Sequence, residues 1–146
     1  DLLGVHYATL GNYQDNGVLS STGLSGGPTT VLATGLGFPT VIVSDSLKLY
    51  WAERVAKKVR MIELGKAGIP VSLAEGLGDP VAVAVDGAHV YWTDASDGSI
   101  RRVPKAGGSP QIVASSSIGA QGLVVDSVAV YWTTGTSDGQ VLRVAK

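Results

Sequence analysis

Three aspartates recur at a regular spacing and are the first residues to consider for chemistry. Asp45, Asp86 and Asp126 are 41 and 40 residues apart, and each precedes a tryptophan by six residues. Carboxylates from successive repeats could form a ring that binds Ca²⁺, a cation that prefers several oxygen ligands. Alternatively, each aspartate caps a turn by accepting hydrogen bonds from nearby backbone N–H groups. Because every full repeat carries one, the structural role is favoured; no cofactor is expected, with Ca²⁺ as the open alternative.

Other polar and aromatic side chains are candidates for ligand binding. Glu53 and Asp94 follow two of the tryptophans by two residues, and Thr134 takes this place in the last repeat. They could form a polar rim on one face of the molecule or cap a hairpin strand. Tyr13 lies in the irregular segment 11–16, where an exposed aromatic ring is suited to recognition. Tyr13, Glu53 and Asp94 are therefore the predicted ligand-binding residues.

The sequence contains little that indicates catalysis. Its two histidines, His6 and His89, are 83 residues apart, and it has no cysteine. A metal site needs three or four converging ligands, and a nucleophile needs a nearby base. The sequence therefore predicts neither a catalytic residue nor a metal site.

The tryptophans belong to a repeated tetrapeptide. Trp51, Trp92 and Trp132 each follow a tyrosine, in the sequences Tyr-Trp-Ala-Glu, Tyr-Trp-Thr-Asp and Tyr-Trp-Thr-Thr. A period of about 40 residues is typical of repeat architectures. The rings could stack on sugars, but their regular recurrence favours packing between repeats, because buried aromatics dominate core energetics. Together with the three aspartates, the tryptophans form the predicted structural motif.

Each repeat predicts four short antiparallel strands, A to D. Strand A is an apolar run such as 81–85, which is typical of a strand buried on both faces. Strand B carries the tyrosine and tryptophan. Asp97-Gly98 then predicts a two-residue hairpin turn to strand C, as does Asn16-Gly17 in the first repeat. Lys57-Lys58 takes this place in the second repeat, so a different turn is expected there.

Four strands in about 40 residues indicate an all-β fold, a β-propeller with about four blades. The chain is interpreted as one partial propeller domain, 1–146, with repeats at approximately 1–38, 39–79, 80–119 and 120–146. The first repeat has room for strands B to D only, and the last for A to C. Incomplete terminal blades leave exposed apolar faces. We therefore expect completion by oligomerisation, with a homodimer as the simplest form. Two alternatives stay open: the missing strands belong to another fragment of the parent polypeptide, or the chain closes on itself as a small four-bladed ring, which its length disfavours.

Composition narrows the possible partners. The net charge is −1 and only 16% of residues are charged, which argues against binding nucleic acid through bulk charge. No apolar run approaches the ~18 residues needed to span a membrane. The sequence begins at Asp1 without an initiator methionine or signal peptide, so a mature product, a fragment and an assembly unit are all open.

The motifs resemble those of YWTD-type propeller repeats. The residues that carry the resemblance are Val-Tyr-Trp-Thr-Asp, Asp-Gly, Arg-x-Val and Gly-Gly-x-Pro, best preserved within 79–114. Such repeats occur in the lipoprotein-receptor family and in bacterial secreted proteins, whose tandem form is the most similar. The resemblance implies an extracellular or periplasmic protein with a binding or scaffold role.

The resulting functional expectation is a non-catalytic propeller that binds a protein or glycan. Two alternatives stay open. One is a metal-dependent hydrolase or lactonase, because the chain distantly resembles NHL and gluconolactonase-like propellers. The other is a propeller fragment or assembly unit without independent activity.

Overall fold

Fourteen β-strands make up the regular structure in the described part of a computed structural model, which covers residues 4–65, 68–115, 119–135 and 137–146. In chain order they are β1 (Gly4–Thr9), β2 (Asp15–Gly23), β3 (Thr30–Gly37), β4 (Pro39–Ser44), β5 (Lys48–Glu53), β6 (Lys58–Glu63), β7 (Val71–Ala74), β8 (Pro80–Val85), β9 (His89–Asp94), β10 (Ser99–Pro104), β11 (Gln111–Ser115), β12 (Ala120–Val125), β13 (Ala129–Thr134) and β14 (Val141–Ala145). These residues include no helix that could cross a membrane.

The strands form four antiparallel sheets, each built from consecutive strands. Blade 1 is β1-β2-β3, blade 2 is β4-β5-β6-β7, blade 3 is β8-β9-β10-β11 and blade 4 is β12-β13-β14. The predicted all-β fold with incomplete first and last blades is confirmed. Among the described residues, blade 1 lacks the inner strand A and blade 4 lacks the outer strand D.

Each blade has two different apolar faces because side chains alternate along a strand. Tyr50 and Trp51 are neighbours on β5 and therefore point to opposite sides of blade 2. We call the two sides the tyrosine face and the tryptophan face; Tyr91 and Trp92 define them on blade 3, as Tyr131 and Trp132 do on blade 4. Blade 1 has Tyr7 at the tryptophan position.

The blades stack in one direction, tyrosine face of one blade on tryptophan face of the next. Each of the three hydrophobic clusters lies at one such junction. They contain, in chain order, Trp51 with Leu19 and Leu36; Trp92 with Tyr50 and Val59; and Trp132 with Tyr91 and Ile100. Every repeated tryptophan is thus buried against the preceding blade.

The innermost strands differ in burial, which corrects one expectation. Among the three inner strands that the structure describes, only β8 is buried on both faces, because blades 2 and 4 pack on either side of it. Val41 on β4 and Val124 on β12 are exposed. Val41 is exposed because blade 1 has no described inner strand to cover β4. Val124 is exposed because no described blade packs on the tyrosine face of β12.

The B–C turns also differ from the prediction. Asp94 pairs with Ser99, so the loop of blade 3 has four residues and only Gly98 has a positive φ, of 68°. Blade 2 builds the same four-residue loop, with Lys57 at the glycine position and a φ of 58°. The expectation of a different turn in blade 2 is therefore wrong, because Lys57 adopts the left-handed conformation. Asn16-Gly17 is not a turn but lies within β2.

Lys57→Gly is expected to raise the free energy of unfolding by about 1 kcal/mol, because a left-handed conformation costs a residue with a Cβ about that much. Denaturant unfolding measures the change. Lys58→Gly is the matched control: its residue lies in β6, where glycine lowers stability by about 0.5–1 kcal/mol. Equal effects of the two substitutions would contradict the explanation.

Candidate functional site

Asp45 and Asp86 hold neighbouring blades together at one end of the molecule. Asp45 Oδ1 accepts hydrogen bonds from the backbone N–H groups of Leu47 and Lys48, at 3.0 and 2.9 Å. Its Oδ2 accepts from the Tyr50 hydroxyl at 2.9 Å and from Lys105 Nζ at 2.7 Å. Because Lys105 belongs to blade 3, one carboxylate caps its own A–B turn and binds the next blade.

The same arrangement, which we call an aspartate clamp, recurs one blade later around Asp86. Asp86 Oδ1 accepts from the backbone of Ala88 and His89, both at 2.8 Å. Its Oδ2 lies 2.9 Å from the Tyr91 hydroxyl and 2.6 Å from Lys146 Nζ. Open clefts of ≈ 540 and ≈ 490 Å³ lie over these two junctions and are lined by the clamp residues.

Asp126 has the turn half of the clamp without the lysine. Its Oδ1 accepts from the backbone of Val128 and Ala129, at 2.7 and 2.8 Å, and its Oδ2 accepts from Tyr131 at 3.0 Å. Within the described ranges no blade follows blade 4, so Asp126 has no lysine from a following blade as a partner. These ranges also contain no group of three or more His, Cys, Asp or Glu side chains arranged to hold a metal ion.

The clamps shift the pKa values of their members. Burial raises the pKa of Asp45, but hydrogen bonds from Lys105, Tyr50 and two backbone N–H groups outweigh it and lower the pKa to about 2. The pKa of Asp86 is lowered by the same kind of balance, with Lys146 as the main donor. Burial and the adjacent carboxylates raise the pKa of Tyr50 and Tyr91.

Glu53 and Asp94 lie at the opposite end and are buried. Glu53 accepts from Gly37 N at 2.8 Å, Trp51 Nε1 at 2.9 Å and Arg60 Nη1 at 3.1 Å. Asp94 accepts from the backbone of Gly78 and Asp79, at 2.9 and 2.8 Å. Both carboxylates therefore fix the link that precedes their own blade, and their oxygens point away from solvent.

Tyr13 is the exposed member of the predicted set. The residue is 73% exposed, and its ring stacks on Phe38 with centroids 4.6 Å apart and planes 12° from parallel. Both residues have positive φ, 59° and 58°. We call this pair the aromatic platform. Backbone strain in residues with a Cβ costs about 1–3 kcal/mol each and is concentrated at functional sites.

An arginine–aspartate pair lies beside the platform. The backbone N–H of Arg54 donates to the Phe38 carbonyl at 3.1 Å. Arg54 Nε and Nη2 donate to the two oxygens of Asp79, at 2.7 and 2.6 Å. This bidentate geometry orients the guanidinium and raises the pKa of Arg54. The platform thus has a fixed, partly exposed polar neighbour.

Phe38, Arg54 and Asp79 were not predicted from sequence. The B–C loop of blade 2 and the links on either side of that blade bring them together from two repeats, and nothing in their sequence spacing predicts this contact. One signal was present: Phe38 is the single phenylalanine of the chain and stands in a link otherwise rich in glycine.

Comparisons with solved structures show the fold. The chain is similar to a structure from a nidogen/laminin complex (TM-score 0.77, 19% identity, 92% of this chain and 53% of that chain) and to a streptogramin B lyase structure (0.72, 14%, 99% and 51%). It is also similar to the computationally designed Ika4 protein (0.74, 16%, 97% and 84%). The chain spans about half the length of the first two. No protein-family model matches it. No curated protein matches it either.

These similarities establish a β-propeller architecture built from the four stacked blades. At such low identity they carry no information about ligand or reaction.

Asp45→Asn is expected to reduce the acid sensitivity of folding. The folded-state pKa of about 2 lies below the ordinary 3.8, so the carboxylate stabilises the fold above about pH 4, and this contribution disappears as the pH falls towards 2. The free energy of unfolding of the parent should fall by up to about 2 kcal/mol more than that of the variant across this range. Asp138→Asn, at an exposed loop position, is the control. Parallel pH curves for parent and Asp45→Asn would contradict the expectation.

Proposed function

We propose that this propeller is a non-catalytic binding or scaffold module whose ligand is recognised at the aromatic platform. The observation that carries the proposal is the Tyr13–Phe38 stack, which keeps a large aromatic ring exposed in a fixed orientation. An exposed ring held by strained backbone gains nothing for the core, and it offers a flat apolar surface with little entropy left to lose on binding.

The neighbouring charges favour a ligand with both apolar and polar groups. A sugar ring or an aromatic side chain could stack on Tyr13 while Arg54, or a free lone pair of Asp79, hydrogen-bonds its polar edge. The platform carries no excess of basic charge, in keeping with the sequence-based expectation of a protein or glycan ligand.

The finer assignments belong to the same proposal. The repeats are interpreted as YWTD-type units of a secreted bacterial protein located outside the cytoplasm, and the scaffold is completed by a second copy of the chain. The motif residues support the first assignment, and the open terminal blades support the second.

Tyr13→Ala is expected to weaken ligand binding about tenfold, since truncating a central aromatic contact typically costs more than ~1 kcal/mol. Alanine keeps the Cβ, so the backbone strain is unchanged and the melting temperature should stay close to that of the parent. A glycan array and an affinity pull-down identify the ligand, and titration of the hit compares the variants. Ile69→Ala, at an exposed position away from the platform, is the control. Equal binding by both variants would contradict the proposal.

The enzymatic alternative has a separate test. One structural neighbour is a lyase, and a metal-dependent hydrolase was the alternative from sequence. A bound cation stabilises the folded state by mass action. Bound metal in elemental analysis, a lower melting temperature with chelator and hydrolysis of lactone substrates would favour it. If the chain binds nothing and hydrolyses nothing, the assembly-unit alternative is favoured.

A further inference from the structure

The two terminal blades expose opposite halves of the same kind of interface. On the tyrosine face of blade 4, Val124 and Val141 are 64% and 75% exposed, whereas Ile100, the counterpart of Val141 on blade 3, is fully buried. On the tryptophan face of blade 1, Val5 and Val31 are 51% and 56% exposed. In blades 2 and 3 the neighbouring blades cover both of these faces, whereas in blades 1 and 4 one face stays exposed.

Polar groups on blade 4 repeat the pattern of the buried junctions. Thr93 Oγ1 accepts from Ala82 N in its own blade and donates to the Gln121 carbonyl of the next blade, at 3.2 Å. Thr133 is its counterpart and accepts from Gly122 N at 3.0 Å in the same way. Thr133 and Asp126 thus lie at the open face of blade 4, where the equivalent residues of earlier blades contact the blade that follows.

We propose that the tyrosine face of blade 4 binds the tryptophan face of blade 1 in a second copy of this chain. The proposal rests on the scaffold function above and names its interface. Two chains related by a two-fold axis would form this junction twice and close a ring of eight sheets, within the usual range of about four to eight blades. A second copy of the chain is the expected partner because the three existing junctions all pack a tyrosine face on a tryptophan face, and the new junction continues this order.

The new junction lacks one contact that joins blade 2 to blade 3 and blade 3 to blade 4, the lysine–aspartate pair. Lys105 and Lys146 directly follow the C strand of their blades, and their backbone N–H groups bond to Ala88 and Val128. Leu24 directly follows the C strand of blade 1, so it occupies the lysine position. In the proposed ring, Leu24 of one chain faces Asp126 of the other, where a lysine would complete the clamp.

This difference makes a gain-of-contact experiment available. Leu24→Lys is expected to strengthen association about threefold at each junction, and about tenfold in the dimer Kd because the ring has two. Adding Asp126→Asn should abolish the gain. Ile69→Lys, which adds the same charge at another exposed apolar position, should leave the Kd unchanged. Sedimentation equilibrium of the 146-residue chain measures all four proteins, the parent and the three variants.

Loss-of-contact variants test the direction of the junction. Val141→Glu and Val5→Glu should each weaken the dimer at least about tenfold, while Ile112→Glu on β11 should not. A mixture of Val141→Glu and Val5→Glu chains should recover a mixed dimer, detectable by native mass spectrometry, because one junction is then intact.

A parent chain that is monomeric at all accessible concentrations would overturn the proposal. So would a dimer that is indifferent to Val141→Glu and Val5→Glu, or one weakened by only one of them. Ligand binding by the Tyr13 platform is measured separately, so a dimer without ligand, or a ligand-binding monomer, shows which proposal has failed.

Discussion

The contact between each tryptophan and the preceding blade is the interaction on which the rest of the structure depends. A three- or four-stranded sheet with two apolar faces is not stable alone, because its hydrophobic surface must be covered on both sides. Trp51, Trp92 and Trp132 are the largest side chains in the three clusters, and all three are buried. Since tyrosine and tryptophan are adjacent on a strand, one dipeptide supplies both faces of a blade and gives the stack a direction.

The aspartate clamps add positional accuracy to this apolar stacking. Apolar surfaces can slide past one another, whereas a carboxylate that accepts two backbone N–H groups, a tyrosine hydroxyl and an ammonium has a defined geometry. The tyrosine hydroxyl connects the two systems, since Tyr50 and Tyr91 place their rings in or beside the core and their hydroxyls on the clamp. The turn, the blade face and the neighbouring blade are thus fixed by one set of side chains.

The fold could be predicted from the sequence because the types of the apolar residues and their period of about 40 residues determine how the repeats pack. The spacing of the tryptophans determined the number of sheets and the places where the first and last are incomplete. Residue type says less about backbone conformation. Lys57 adopts a glycine-like φ that its side chain does not reveal, and Phe38 and Tyr13 do the same. The platform pairs Tyr13 with Phe38 inside the first repeat, and its neighbours Arg54 and Asp79 come from the second repeat. These residues meet because the loops and links converge at one end.

The position of the platform follows from the same logic. At the regular junctions, the tryptophan rings, Thr93 and the carboxylates of Asp45 and Asp86 are engaged in joining blades. Blade 1 departs most from the repeat: Tyr7 replaces the tryptophan, no inner strand is described, and residues 1–47 contain no Lys or Arg. Its B–C loop is the one that holds Tyr13 against Phe38. Strain of about 1–3 kcal/mol in each such residue needs a rigid support, and the regular junctions beyond it supply that support. The residues that follow the repeat pattern build the scaffold, whereas Tyr13, which departs from it, leaves an aromatic ring exposed for binding.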